Sequence, residues 1–106
     1  MTTEHYRNND LEGEKLVYYM NGQLAQKIMY ASGKKQGEEI QYTEKGIILK
    51  RLYYENDKLS GPAKFYDADG GLLREGNYKA NMRHGTWKYY VNGKLEKTEK
   101  FPKNKI

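Results

Sequence analysis

The segment GTWKYYVNGKL, residues 85–95, contains a tryptophan, two tyrosines and an Asn-Gly pair between two short apolar runs. Asn-Gly between such runs is the usual sequence of a two-residue hairpin turn of the primed type. Counting outward from this pair places Val91 opposite Lys94 and Tyr90 opposite Leu95. The segment therefore predicts a β-hairpin.

The features of this hairpin recur along the chain with a period of 24 residues. We call two of the recurring sets the periodic glycines, Gly13, Gly37, Gly61 and Gly85, and the inner tyrosines, Tyr18, Tyr42, Tyr66 and Tyr90. A third set, the outer aromatics, consists of Tyr30, Tyr54, Tyr78 and Phe101. Sets that share one period indicate internal repeats. We predict a single domain, 1–106, made of a half unit, 1–12, and four units, 13–36, 37–60, 61–84 and 85–106.

Each unit reads as strand, turn, strand, turn, and no run is long enough for a helix. The first three units have one more residue before the turn glycine than the last unit, which suits a three-residue loop with a left-handed glycine. This loop pairs each inner tyrosine with a leucine or isoleucine: Tyr18 with Leu24, Tyr42 with Ile48, and Tyr66 with Leu72. We predict an all-β fold, an elongated, open, antiparallel β-meander of hairpin repeats in a single layer. About nine strands would extend roughly 40 Å.

The pleat of the strands predicts two different faces. We assign the inner tyrosines, their aliphatic partners and the outer aromatics to a regular face that holds the sheet together. The other face is irregular, and because no helix is available to cover it, we expect it to meet a partner. The predicted partner-binding residues are Val17, Tyr19, Tyr53, Phe65, Arg83, Trp87, Lys88 and Tyr89.

Trp87 is the only tryptophan, and two interpretations of it stay open. Tryptophan and arginine are enriched at binding hot spots, and Arg83 and Lys88 lie close to Trp87 in sequence. A single tryptophan near a chain end can equally seal the last hairpin.

The composition bounds the classes of partner. The net charge is +5, and residues 85–106 contribute +4 of it, from six lysines and two glutamates. A basic end favours acidic proteins, anionic lipids or other polyanions, although a solvated tail explains it too. The chain has no cysteine and no hydrophobic signal segment, so we predict a cytoplasmic protein.

Catalytic and metal-binding patterns are weak. His5 and His84 are far apart in sequence, and no nucleophile or paired carboxylate shares the register of His84. The segment DADGG, residues 67–71, fits a hairpin turn better than a calcium loop, whose later ligands it lacks. The tyrosines recur equally in every unit, which favours packing over base stacking. We predict no enzyme activity, cofactor, metal or small-molecule substrate, and we do not expect a nucleic-acid partner.

The units resemble MORN-type repeats, in particular the bacterial MORN-variant repeats, through YYENDKLSG, residues 53–61, and GTWKYYVNGKL, residues 85–95. An aromatic pair, an Asn-Gly turn and a following leucine recur in that family. The resemblance implies β-hairpins stacked into an elongated open sheet and adds no catalytic residue. Asp57 and Asn81 replace the turn glycine, so we expect looser turns there.

The resemblance also implies two classes of function. Small bacterial proteins made only of variant repeats resemble antitoxins or immunity proteins, which would bind a cognate toxin and block it by steric occlusion. MORN repeats are also linked to phospholipids and membrane surfaces. We therefore predict a protein-binding immunity or antitoxin protein, with an anionic phospholipid or polyanion-binding module, or a structural scaffold, as the alternatives.

Overall fold

The computed structural model describes residues 1–102 as β-strands joined by turns, and residues 103–106, the end of the fourth predicted unit, lie outside the described part. The strands are β1 (Thr2–Thr3), β2 (Tyr6–Arg7), β3 (Asp10–Leu11), β4 (Gly13–Tyr18), β5 (Leu24–Ala31), β6 (Lys34–Tyr42), β7 (Ile48–Glu55), β8 (Lys58–Leu59), β9 (Gly61–Tyr66), β10 (Leu72–Lys79), β11 (Met82–Val91) and β12 (Lys94–Phe101). No helix in this part of the chain could cross a membrane.

Ten of the described strands form one antiparallel sheet in the order β1-β4-β5-β6-β7-β9-β10-β11-β12, with β8 also paired to β7. Strands β2 and β3 form a separate two-stranded ribbon. The molecule measures 49 × 32 × 14 Å, which is the shape of one open layer. The prediction of an all-β, open meander is confirmed, with ten strands in the sheet where about nine were expected.

The hairpin loops follow the predicted registers. Tyr18 pairs with Leu24, and the corresponding pairs recur in the second and third units. The loop glycines Gly22, Gly46 and Gly70 have φ angles of 88°, 87° and 90°, the left-handed conformation that the three-residue loop requires. In the last unit, Asn92 and the glycine after it form the predicted two-residue turn, with positive φ at both positions.

The turns at Asp57 and Asn81 are not looser, contrary to the expectation from sequence. Both residues adopt left-handed conformations, with φ of 68° and 73°. Each side chain also accepts a hydrogen bond from a backbone N–H of the preceding unit: Asp57 Oδ1 from Lys35 N and Asn81 Oδ1 from Leu59 N, both at 2.7 Å. Asparagine and aspartate tolerate this conformation, and their side chains join consecutive units in a way that glycine cannot.

The division of side chains between the faces differs from the prediction. The first hairpin of each of the four units contains a register shift just after its loop; in the first unit, Tyr18 pairs with Leu24 while Val17 pairs with Gln26. Ala25 is the extra residue. Because it has no partner in β4, the later side chains of β5 point to the face opposite to the one that uninterrupted alternation predicts. The outer aromatics therefore lie on the same face as Trp87, and the inner tyrosines lie on the opposite one. We call these the Trp87 face and the tyrosine face.

The periodic glycines and the outer aromatics are cross-strand partners. Gly13 pairs with Tyr30, Gly37 with Tyr54, Gly61 with Tyr78, and Gly85 with Phe101. The two sets therefore share one period because each aromatic residue stands opposite a glycine of the next strand. At Gly37 the need for glycine is evident, since φ is 106° and a β-carbon would stand 3.3 Å from Met29 Cβ.

The core lies mainly on the Trp87 face, whereas the regular face was expected to hold the sheet together. Register and packing place five of the six buried residues there: Ile28, Glu39, Leu52, Ala63 and Trp87. The sixth, Ile40, adjoins Glu39 in β6 and so points to the tyrosine face. The sequence of the Trp87 face is irregular because its core is built from side chains of different size and type.

Candidate functional site

Trp87 lies at the centre of the face that is named after it, and it is only 1% exposed. Its ring packs edge-on against Tyr78, with centroids 5.2 Å apart, and lies tilted against Phe65 at 6.3 Å. The indole Nε1–H donates a hydrogen bond to the carbonyl of Asn77 at 3.0 Å. A β-carbon on Gly76 would stand 2.2 Å from the indole, so the glycine leaves room for the ring.

Three cationic side chains lie over aromatic rings around Trp87. Arg74 Cζ is 4.1 Å from the Phe65 centroid, and Lys97 Nζ is 5.1 Å from that of Tyr89. Arg83 Cζ is 5.6 Å from the Trp87 centroid and 5.0 Å from that of Phe101. We name this set the aromatic–cationic surface; its members are Phe65, Arg74, Tyr78, Arg83, Trp87, Tyr89, Lys97 and Phe101.

The cations of this surface are exposed and at the same time held in place. Arg74, Arg83 and Lys97 are exposed, whereas the rings beneath them are buried or half-buried. Arg83 Nη1 also donates a hydrogen bond to the Tyr89 hydroxyl at 3.1 Å. Burial and a hydrogen bond to Glu99 raise the pKa of Tyr89, and Arg83 opposes the shift, so the hydroxyl stays protonated at neutral pH. Guanidinium groups that rest on rings present their N–H edges outward, where they can bind carboxylate or phosphate.

A polar cluster adjoins this surface on the Trp87 face. Glu39 is 3% exposed and accepts hydrogen bonds from Lys35 Nζ and Gln41 Nε2, both at 2.8 Å. Lys35 Nζ also lies 4.6 Å from the centroid of Tyr54. Burial lowers the pKa of Lys35, but the hydrogen bond and attraction of Glu39 outweigh it and raise that pKa overall. Burial and the charge of Glu39 raise the pKa of Tyr54. The members of the cluster satisfy one another's hydrogen bonds, so we assign the cluster a role in packing.

Four of the predicted partner-binding residues come together in the aromatic–cationic surface: Phe65, Arg83, Trp87 and Tyr89. Of these, Trp87 has almost no accessible area and cannot itself contact a partner in this conformation. Its buried position corresponds to the second interpretation of the sequence, in which it seals the last hairpin. Arg83 covers Trp87 and provides the exposed polar group.

The other four predicted residues lie elsewhere. Val17 and Tyr19 belong to the first unit, where the Tyr19 hydroxyl donates a hydrogen bond to the carbonyl of Tyr42 at 2.7 Å. Tyr53 is 44% exposed and lines a shallow groove of about 290 Å³ with Pro62 on the tyrosine face. Lys88 follows Trp87 in β11 and therefore points to the tyrosine face. The eight residues thus do not form one site.

Arg74 and Lys97 are members of the surface that the sequence analysis missed. Arg74 pairs with Phe65, and Lys97 pairs with Tyr89, each next to a register shift. If the strands paired without interruption outward from the tyrosine–leucine pairs, these two cations would not lie opposite the rings. The signal that could have identified them is the first loop of each unit, because a register shift follows that loop in all four units.

The turn at DADGG, residues 67–71, is a hairpin loop, as predicted. Asp67 Oδ1 accepts hydrogen bonds from the backbone N–H groups of Asp69 and Gly71, at 2.9 and 2.8 Å. Its carboxylate is thus part of the turn. Within residues 1–102, no three His, Asp or Glu side chains are close enough together to hold a metal ion.

Comparison with known proteins identifies the repeats. The model of the MORN repeat variant family matches residues 11–32, 35–56 and 59–80, three segments that begin 24 residues apart. These segments cover more than half of the chain and have the period of the glycines and tyrosines. The search of curated proteins found no match.

Proposed function

The chain belongs to the MORN repeat variant family, whose repeats generally bind proteins or lipids, and we propose that it binds an acidic surface of a partner protein. The aromatic–cationic surface is the binding site in this proposal. Binding alone accounts for the proposed action, without catalysis.

The observation that supports the proposal most strongly is the geometry of Arg74 and Arg83. Both side chains are exposed on the Trp87 face, and no other described element covers them. Each is fixed against a ring, and Arg83 is also bonded to Tyr89. A side chain that is ordered before binding loses less entropy on binding. Planar guanidinium groups also match carboxylates in geometry, so an acidic protein surface is the best fit.

In its full form, the proposed role is that of an immunity protein acting in the cytoplasm. A flat sheet of 49 × 32 Å can cover an active-site entrance on a toxin of similar size. Occlusion of this kind needs no chemistry from the sheet, and charge complementarity selects the cognate toxin from others. The resemblance of small variant-repeat proteins to antitoxins supports this role.

The experiment compares the wild-type chain with two double variants of equal net charge. R74E/R83E reverses both arginines of the surface, whereas K45E/K58E reverses two exposed lysines outside it. Each chain is expressed in cells together with a candidate toxin chosen from the genes that neighbour its own. Wild type and K45E/K58E are expected to restore growth and to copurify with the toxin, whereas R74E/R83E is expected to do neither. Failure of the wild-type chain to restore growth would contradict the immunity role.

Binding to an anionic phospholipid surface is the second candidate. It is favoured by the fourth unit, in which Lys88, Lys94, Lys97 and Lys100 are all exposed. Attraction between such lysines and anionic headgroups is strongest at low salt. Flotation with phosphatidylserine vesicles at low and moderate salt tests it: binding that weakens with salt supports this candidate, and absence of binding at low salt excludes it.

A further inference from the structure

Strand β12 is the last strand of the sheet, and among the described strands it pairs with β11 alone. One side of its backbone therefore faces no other described strand, and an edge of this kind is a template for pairing. Proteins commonly block such edges with lysines, because like charges repel a second copy. In contrast, β12 carries both signs of charge along its length.

The order of these charges is complementary to itself. Residues 96–100, EKTEK, read as negative, positive, neutral, negative, positive. If two copies of β12 run antiparallel with Thr98 opposite Thr98, Lys97 of each copy lies opposite Glu99 of the other, whereas Glu96 is the extra residue at the register shift after the last loop and does not enter the pairing. The pair occurs twice by symmetry, so Lys97 and Glu99 of both copies meet opposite charges. Opposite charges across an antiparallel pair stabilise it.

Neighbouring registers lack this complementarity. A two-fold axis on Lys97 places the Lys97 side chains of the two copies opposite each other, and an axis on Glu99 does the same for the Glu99 side chains. An axis between two residues is excluded, because it would place side chains from opposite faces of the sheet across from each other. Since like charges directly opposite each other destabilise a strand pair, the sequence selects the register centred on Thr98.

The pleat agrees with this register. Lys97 pairs with Tyr89 and Glu99 with Trp87, so both charged residues belong to the Trp87 face. Lys97 of one copy and Glu99 of the other therefore lie on the same side of the joined sheet. The Glu99 carboxylate is also hydrogen-bonded to Tyr89, and its two oxygens can accept further bonds.

From the edge position, charge order and pleat together, we propose that two copies of the chain form a two-fold symmetric dimer by antiparallel pairing of their β12 strands. The dimer has one continuous sheet, with an isologous interface centred on Thr98. Both aromatic–cationic surfaces then lie on the same face of that sheet. A partner with two acidic sites gains avidity from this arrangement. The dimer itself does not depend on the proposed function.

Sedimentation of the full chain over a range of protein concentrations tests the dimer. Wild type is expected to show a reversible monomer–dimer equilibrium. Lys97→Glu places glutamate opposite Glu99, Glu99→Lys places lysine opposite Lys97, and each is expected to weaken the dimer about tenfold. Far-ultraviolet circular dichroism confirms that each variant is folded.

Mixing the two variants is the decisive step. In a heterodimer of K97E with E99K, both contacts regain opposite charges, so the mixture is expected to recover wild-type affinity, and native mass spectrometry is expected to show the heterodimer. A wild-type chain that stays monomeric at every concentration overturns the proposal. A dimer that neither variant weakens, a mixture without recovery, or growth into filaments, which indicates pairing of β12 with the β1 end of the sheet, overturns it equally.

Discussion

The indole of Trp87 occupies the space over Gly76 on the neighbouring strand, where a β-carbon would stand only 2.2 Å from the ring. Gly76 is also opposite Ala63 in β9, so two small residues lie beneath one large ring. An aromatic ring over a glycine shields the backbone that glycine would otherwise leave exposed. This relationship allows a single-layer sheet to bury a tryptophan almost completely.

Gly76→Ala is expected to destabilise the protein by about 1–3 kcal/mol, because the added methyl group displaces the ring of Trp87. Urea unfolding followed by circular dichroism measures the change. The same substitution is expected to cost less in a Trp87→Leu background, where the ring is absent. Equal costs in the two backgrounds would show that the clash with the indole is not the cause.

Asn81→Gly is expected to cost about 1 kcal/mol of unfolding free energy, because it keeps the left-handed turn but removes the hydrogen bond to Leu59 N. Asn92→Gly is the matched control. Asn92 also lies in the left-handed region, with φ of 52°, and its side chain makes no hydrogen bond to residues 1–102. Both variants gain the same freedom when unfolded, so their difference isolates the bond. Equal denaturant midpoints for the two variants would contradict the role of Asn81 in joining units.

Lys35→Met is expected to destabilise the protein by about 2 kcal/mol, because it leaves the buried Glu39 carboxylate without its cation. Lys27→Met is the control: Lys27 pairs with Glu14 at 3.1 Å, and both side chains are more than 40% exposed. Removal of such an exposed pair is expected to cost less than about 0.5 kcal/mol. Similar unfolding free energies for the two variants would show that Lys35 does not compensate the charge of Glu39.

The contribution of Lys35 to stability is expected to disappear at alkaline pH. Its pKa is raised in the folded protein, so the contribution is complete below the unfolded value of about 10.4 and is lost as the pH rises through the folded value. The pKa of Tyr54 is also raised, and its ionisation acts in the same direction. The difference in unfolding free energy between wild type and Lys35→Met is expected to be constant from pH 7 to about 10 and to shrink above. A difference that persists unchanged through the alkaline range would argue against the ion pair.

The sequence was sufficient to predict the repeat, the hairpins and the tyrosine–leucine pairs, because each depends on residues close together in the chain. The sequence shows the periodic glycines and the outer aromatics as two sets with one period. Only the structure shows that their members, such as Gly85 and Phe101, are cross-strand partners. The assignment of faces failed for a physical reason. One unpaired residue per hairpin, such as Ala25, reverses the alternation, and nothing in the identity of alanine announces a bulge.

The candidate site was predicted only in part, because the bulges also determine which side chains meet in it. Phe65, Arg83 and Tyr89 were recognised by residue type, and the structure brings them together around Trp87. Arg74 was missed because its position over Phe65 depends on the bulge before it. The burial of Trp87 was not predictable either, since it requires Gly76 on one side and Arg83 on the other.

We propose that Arg74 and Arg83, held on their rings, form the binding surface, and the affinity of the chain for its copurified partner, measured by calorimetry, is the direct test. R74E/R83E is expected to bind about a hundredfold more weakly than wild type, or weaker still, as for the loss of two hot-spot residues, whereas K45E/K58E is expected to bind within about twofold of wild type. A folded R74E/R83E variant with wild-type affinity would show that the two arginines do not form the binding surface.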